Sequence, residues 1–143
     1  MAATKYDHYF STEPLRSIDT QPLLKGLEMY DVNGAQWDTA CTVHYSAVNR
    51  PLVLIKEPHT HTYPEFVCFI GGNPEKVRDF GAEVDMYMGA EQEKHVITRS
   101  TVVFLPAGFP HCPMDFKVVR EPVVLMTISL GQVYRQDPVP PSG

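Results

Sequence analysis

Cysteine is scarce and odd in number: Cys41, Cys68 and Cys112 are the only three in 143 residues, and no two of them stand in a CxxC spacing. This argues against a disulfide framework or a structural zinc knuckle, and leaves three small side chains suited to burial. Lysine and arginine are also few, 12 against 17 aspartates and glutamates, for a net charge of -5, and they form no run. A nucleic-acid backbone or an anionic membrane is therefore excluded as principal partner, and a small molecule becomes the default. No stretch approaches the roughly 20 consecutive apolar residues that cross a bilayer. The opening Met1-Ala-Ala-Thr-Lys-Tyr-Asp-His lacks the basic head and apolar run of a secretion signal, so a cytoplasmic location is expected. Helical periodicity is missing as well; no segment sustains it over a dozen residues.

What the chain does have is a series of short β-rich runs. A length of 143 residues and 43% hydrophobic content fit one domain with its own core. Residues 1–38 read as an irregular or only briefly ordered arm, interrupted by Pro14, Pro22 and Gly34, with apolar patches at Leu23, Leu24 and Leu27. From residue 39 the pattern changes to strands expected at 39–48, 52–56, 63–70, 82–88, 94–98, 101–105 and 122–130. The turns at Gly71-Gly72-Asn73-Pro74 and Pro106-Ala107-Gly108 fit hairpin connections. Many short strands at this spacing predict an all-β, antiparallel sandwich or barrel over 39–131. Residues 132–143 form a proline-rich tail, expected to be extended or disordered.

Two segments carry chemistry. In Pro58-His59-Thr60-His61-Thr62-Tyr63-Pro64-Glu65, strand alternation puts His59 and His61 on one face and turns Thr60 away. Glu65 has the same parity and can arrive from the next strand if Tyr63-Pro64 bends the chain. It adds a hard carboxylate oxygen to two imidazole nitrogens, a mixed set suited to a first-row transition ion. In Phe104-Leu105-Pro106-Ala107-Gly108-Phe109-Pro110-His111 a strand meets a tight turn, which can send His111 back into the interior as a fourth ligand.

These segments resemble the paired motifs of the cupin superfamily. His59, His61, Glu65 and Gly72 satisfy the first motif, and Pro106, Gly108 and His111 the second. The resemblance implies an antiparallel double-stranded β-helix, the jelly-roll barrel of the cupins, with an irregular N-terminal arm. It implies one divalent transition metal (Fe, Mn, Ni, Zn or Cu) on His59, His61, Glu65 and His111. Departures fall at Val53 and Ser100, where the family usually has glycine, and at Asp115, where asparagine is common. They affect turns more than ligands.

Four ligands leave room for a substrate on an ion that takes five or six. The expected function is a metal-dependent enzyme acting on a small oxygenated organic acid, phenol or polyketide-like compound by inner-sphere coordination, with Glu65 as the catalytic proton carrier. Phe66, Phe69 and Phe109 favour an aromatic or partly apolar substrate. A non-catalytic barrel that uses its metal to hold a ligand is the alternative. His8, His44 and His95 read as hydrogen-bonded core or surface residues. Tyr63, Met86, Met88 and Phe104 read as barrel filling before pocket lining, and Arg78, Asp79 and Lys94 as solvated charges. Cys112 has nothing to activate it as a nucleophile. A loop around 74–81 is expected near the barrel mouth. A homodimer is expected through the arm and through outward side chains such as Phe66 and Cys68.

Overall fold

The computed structural model describes residues 4–12, 15–17 and 28–139. Short β-rich runs broken by turn residues give twelve strands: β1 (Leu15–Ser17), β2 (Glu28–Asn33), β3 (Thr42–Val48), β4 (Leu52–Leu54), β5 (His59–Thr60), β6 (Glu65–Gly71), β7 (Asp79–Met88), β8 (Glu93–Arg99), β9 (Thr101–Leu105), β10 (His111–Val119), β11 (Val123–Ser129) and β12 (Asp137–Pro138). Two short 3-10 turns, Asp7–Tyr9 and Gly34–Trp37, are the only helical pieces among the described residues, and no helix there is long and apolar enough to cross a membrane.

All pairings are antiparallel and form two sheets, β1-β2-β3-β11-β6-β9 and β12-β5-β10-β7-β8, with β4 also on β10. Successive strands often change sheet, as a jelly roll requires. The turns at Gly71–Pro74 and Pro106–Gly108 accordingly carry the chain from one sheet to the other (β6 to β7, β9 to β10), correcting the hairpin expectation. Glycine is needed at both. A Cβ on Gly72 would lie 2.3 Å from the Pro122 carbonyl oxygen, and Gly108 holds φ at +78°.

Inward side chains of both sheets build the core. Phe69 of β6, Phe80 of β7 and Phe116 of β10 are almost wholly buried. Phe80 meets Phe69 edge-on at 5.9 Å and Phe116 lies 6.3 Å from it. This aromatic group fills one end of the barrel. Polar residues occupy inward positions at the other end, where Glu65, Ser129 and Thr42 are aligned across β6, β11 and β3.

The two outer faces differ in kind. On the sheet containing β7 and β10 the outward residues include Glu83, Asp85, Asp115 and Lys117, with Lys117 paired to Asp85 and Arg120 to Glu83. This is the ordinary solvated face of an antiparallel sheet. On the other sheet one outward row reads Val32, Val43, Ile128, Phe66 and Phe104 across β2, β3, β11, β6 and β9.

The arm is ordered in short pieces: β2 pairs with β3 from Met29↔Ser46 to Asn33↔Thr42 and so extends the sheet. Pro14, Pro22, Leu23, Leu24 and Leu27 lie outside the described residues, as does the end of the tail from Pro140. Within the tail, Asp137 and Pro138 are extended and pair with Thr60 and His59. Besides β1, β2 and β12 in the arm and tail, one long barrel strand, β10, falls outside the expected runs. Pro110 and Pro113 disguised its start, although Met114, Phe116 and Val118 alternate with Asp115 and Lys117 as an amphipathic strand should.

Candidate metal centre

His59 opens the short strand β5, and β5 pairs with β10 through His59↔His111. Strand alternation then keeps His61 on the side of His59, and the bend at Tyr63-Pro64 lets Glu65 open β6 beside them. All four side chains are buried at 2–3% exposure. The ligating nitrogens of His59, His61 and His111 lie within 4.8 Å of one another, with His59 Nε2 and His61 Nε2 3.1 Å apart. Glu65 Oε2 stands 3.4 Å from His61 Nε2, and Oε1 3.7 Å from His111 Nε2. The three histidines therefore meet at one point, with the Glu65 carboxylate beside His61 and His111.

The surrounding hydrogen bonds set which nitrogen faces inward. His61 Nδ1 donates to the Arg135 carbonyl at 2.6 Å, and His111 Nδ1 donates to the Phe109 carbonyl at 2.9 Å. With Nδ1 carrying the proton in each ring, the neutral imidazole turns its Nε2 lone pair toward the cluster. His111 Nε2 is buried and has no hydrogen-bond partner among the described residues. Donors about 2.1 Å from a first-row ion lie about 3 Å apart when adjacent, and the 3.1 Å between His59 Nε2 and His61 Nε2 and the 3.4 Å from Glu65 Oε2 to His61 Nε2 are of that size. Three borderline nitrogens and one hard oxygen are the right chemistry for it.

Electrostatics agree with that reading. Burial pushes His59 down to about 4, with His111 and His61 adding to the shift, and burial likewise lowers His111. Both rings are neutral at pH 7. For His61 burial acts downward, but the Glu65 carboxylate and the Arg135 carbonyl outweigh it and raise the pKa. Burial acts upward on Glu65, yet His61 and the Ser129 hydroxyl, which donates to Oε2 at 2.7 Å, hold the carboxyl below its usual value. A proton on His61 and a cation at the cluster thus compete for one position, and acid opposes metal binding.

The remaining candidates separate cleanly. His44 is buried against Asp31, 2.6 Å from its Oδ1, His95 pairs with Glu93 on the surface, and His8 lies against Tyr9; none joins the cluster. Tyr63 stacks on His61 at 5.0 Å and takes the Arg135 amide on its hydroxyl. Met86 is core and Met88 lies beside it. Phe104 neither lines a pocket at the site nor fills the barrel; it points outward, 53% exposed. Residues 74–78, with Arg78 and Asp79, lie where β6 ends and β7 begins, opposite the end at which Glu65 opens β6, so they cannot shape the mouth of this site. Lys94 sits near Asp85 on the outer face. Burial pushes the Cys112 thiol far up, which leaves it unreactive.

Sequence reasoning missed Ser129, the Arg135 carbonyl and Tyr134, whose ring lies 5.2 Å from that of His61. Ser129 had a signal: after Val123 and Leu125, the inward positions of β11 turn polar at Thr127 and Ser129. Arg135 acts through its backbone and leaves no side-chain trace. Ser129→Ala is expected to weaken metal affinity about 10- to 100-fold while costing about 1 kcal/mol of stability, because only the orientation of Glu65 is lost. Competition titration with a chelator, beside urea unfolding, measures both.

No protein-family model matches the sequence, and no curated protein matches it. Solved structures do. The chain is similar to the polyketide cyclase RemF from Streptomyces resistomycificus (TM-score 0.59, 10% identity, covering 93% of this chain and 85% of that one). It is similar to an oxalate oxidase held in complex with the substrate analogue glycolate (TM-score 0.60, 14% identity, 94% and 70% covered). Peruvianin-I, a cysteine peptidase from Thevetia peruviana latex, matches as well (TM-score 0.60, 14% identity, 96% and 80%). Names so different on one architecture show that the fold does not choose the reaction. With its two antiparallel sheets, its motif glycines and these neighbours, the chain has the cupin fold.

Proposed function

We propose that this chain is a metal-dependent enzyme acting on a small oxygenated organic molecule, an organic acid, phenol or polyketide-like compound, bound directly to a divalent ion at His59, His61, Glu65 and His111. The observation that carries the reading is the cluster of three buried imidazoles beside the Glu65 carboxylate, with His111 Nε2 buried and without a hydrogen-bond partner among the described residues. A divalent first-row ion supplies Lewis acidity toward a carbonyl, carboxylate or enolate oxygen. The chain's own residues supply the rest. Glu65 is ionised at neutral pH and is the group placed to accept a substrate proton, while Ser129 keeps its Oε2 fixed. Phe69, Phe80 and Phe116 close the far end of the barrel, so a substrate must enter beside the histidines. A groove of about 480 Å³ lined by Ile55, Lys56, Glu57, Pro58, Gln136 and Pro138 reaches His59 and offers an approach.

The test is a screen of small organic acids and phenols against protein loaded separately with each candidate metal, following product formation and thermal stability together. Metal-dependent turnover that is lost in Glu65→Gln supports the proposal. Stabilisation of the fold by a ligand with no turnover assigns a binding barrel instead.

A further inference from the structure

We propose that Tyr134 is a substrate-contacting residue of this site, donating its phenolic O–H to an anionic oxygen of the bound organic acid or phenolate, and that His44 and Asp31 are the positioning residues that hold its ring. The inference rests on the reading of the histidine cluster as a metal site for such a molecule.

No motif surrounds Tyr134, but the fold brings the site to it. The residue follows β11 in the segment that reaches β12, and its neighbour Arg135 takes the His61 Nδ1 proton on its carbonyl. The Tyr134 ring stands 5.2 Å from that of His61 and 4.9 Å, edge-on, from that of His44. Two tyrosines therefore flank His61, and their hydroxyls differ. That of Tyr63 is fully engaged, donating to the Arg135 carbonyl at 3.2 Å and accepting from the Arg135 amide at 2.9 Å. That of Tyr134 accepts from Gln136 Nε2 at 2.8 Å and, among the described residues, donates to none. Gln136 lines the groove that reaches His59, so this hydroxyl lies beside the approach to the cluster. Burial raises its pKa and the Glu65 carboxylate adds to the rise, so the oxygen keeps its proton at neutral pH. A phenol with an O–H to give, next to a cation site, is suited to an anionic oxygen and offers nothing to a hydrocarbon.

His44 and Asp31 face each other across β3 and β2. They occupy the inward row next to the one that carries Thr42, Ser129 and Glu65. His44 Nε2 lies 2.6 Å from Asp31 Oδ1, with the imidazole buried. Pairing of two strands does not require ionisable side chains, and packed hydrocarbon in their place is often as stable or more so. What the pair supplies is an imidazole fixed in orientation by a carboxylate, and the ring set against it is that of Tyr134.

The test is titration of cobalt(II)-loaded protein with benzoate, followed in the visible spectrum of the ion. Tyr134→Phe keeps the ring and removes only the hydroxyl. It should bind cobalt as the wild type does and bind benzoate about 10- to 100-fold more weakly, the worth of a hydrogen bond to a charged group. His44→Ala should weaken benzoate binding about 10-fold in the wild-type background and have no further effect on top of Tyr134→Phe, because it acts through that hydroxyl. Equal losses in both backgrounds, or a lower unfolding midpoint with benzoate affinity intact, would make His44 structural and overturn its positioning role. Wild-type benzoate affinity in Tyr134→Phe overturns the proposal and leaves the metal site standing. Wild-type protein that takes up no cobalt, or whose cobalt spectrum benzoate does not move, overturns the underlying reading and this inference with it.

Discussion

Protein carrying His59→Ala together with His61→Ala is expected to purify with its fold retained and essentially no bound metal. Four-ligand sites of imidazole and anionic donors bind divalent ions with about 10–16 kcal/mol, so each donor accounts for about 3 kcal/mol. Removing two costs about 6 kcal/mol, a drop in affinity of about four powers of ten. What remains is His111 and Glu65, and Glu65 then has only its Ser129 hydrogen bond to hold it in place. The fold should survive because the cluster is not what closes the barrel. The aromatic core of Phe69, Phe80 and Phe116 lies at the other end. Elemental analysis of wild-type and doubly substituted protein prepared side by side measures the effect. Equal metal content in the two would mean that these histidines hold nothing.

The largest stability effect should come from Phe69→Ala. Phe69 is fully buried, with Phe80 edge-on and Phe116 beside it. Truncating it removes the transfer energy of a phenyl ring and leaves a cavity that two rigid sheets cannot collapse, a loss of about 3–5 kcal/mol. Against a total stability of about 5–15 kcal/mol for a domain of this size, the variant stays folded only narrowly. Urea unfolding should show the midpoint falling with little change in slope. A loss below about 1 kcal/mol would mean that the barrel end is not packed as the ring contacts show.

These two substitutions probe features that were legible in the sequence to different degrees. His59, His61, Glu65 and His111 were readable because strand parity and two short spacings place them, and both are local properties. The barrel was readable over β3, β6, β9 and β11 because each is a short run of β-branched, aromatic and other apolar residues bounded by turn residues. Legibility failed where the decisive partner is distant. β2 is held by pairing with β3, not by its own pattern, and β12 exists only because Asp137 and Pro138 find β5. The turns at Gly71 and Pro106 look like hairpins locally, but the jelly roll makes them crossings between sheets. For the same reason residues 74–78 fell at the wrong end of the barrel: length suggested a lid, and only the register of β6 shows which end they occupy. Phe104 illustrates the last failure. Hydrophobicity reads as interior, whereas its register with Phe66 turns it outward. The hydrogen bonds that aim the ligands, from Ser129 and to the Arg135 and Phe109 carbonyls, come from residues that carry no motif.

The most direct measurement is a crystal structure of metal-loaded protein with anomalous scattering collected at the absorption edge of the ion. One peak about 2.0–2.3 Å from the Nε2 atoms of His59, His61 and His111 and from a Glu65 oxygen is the predicted result. An ion bound elsewhere, or imidazoles turned away from a common centre in the loaded protein, would contradict it.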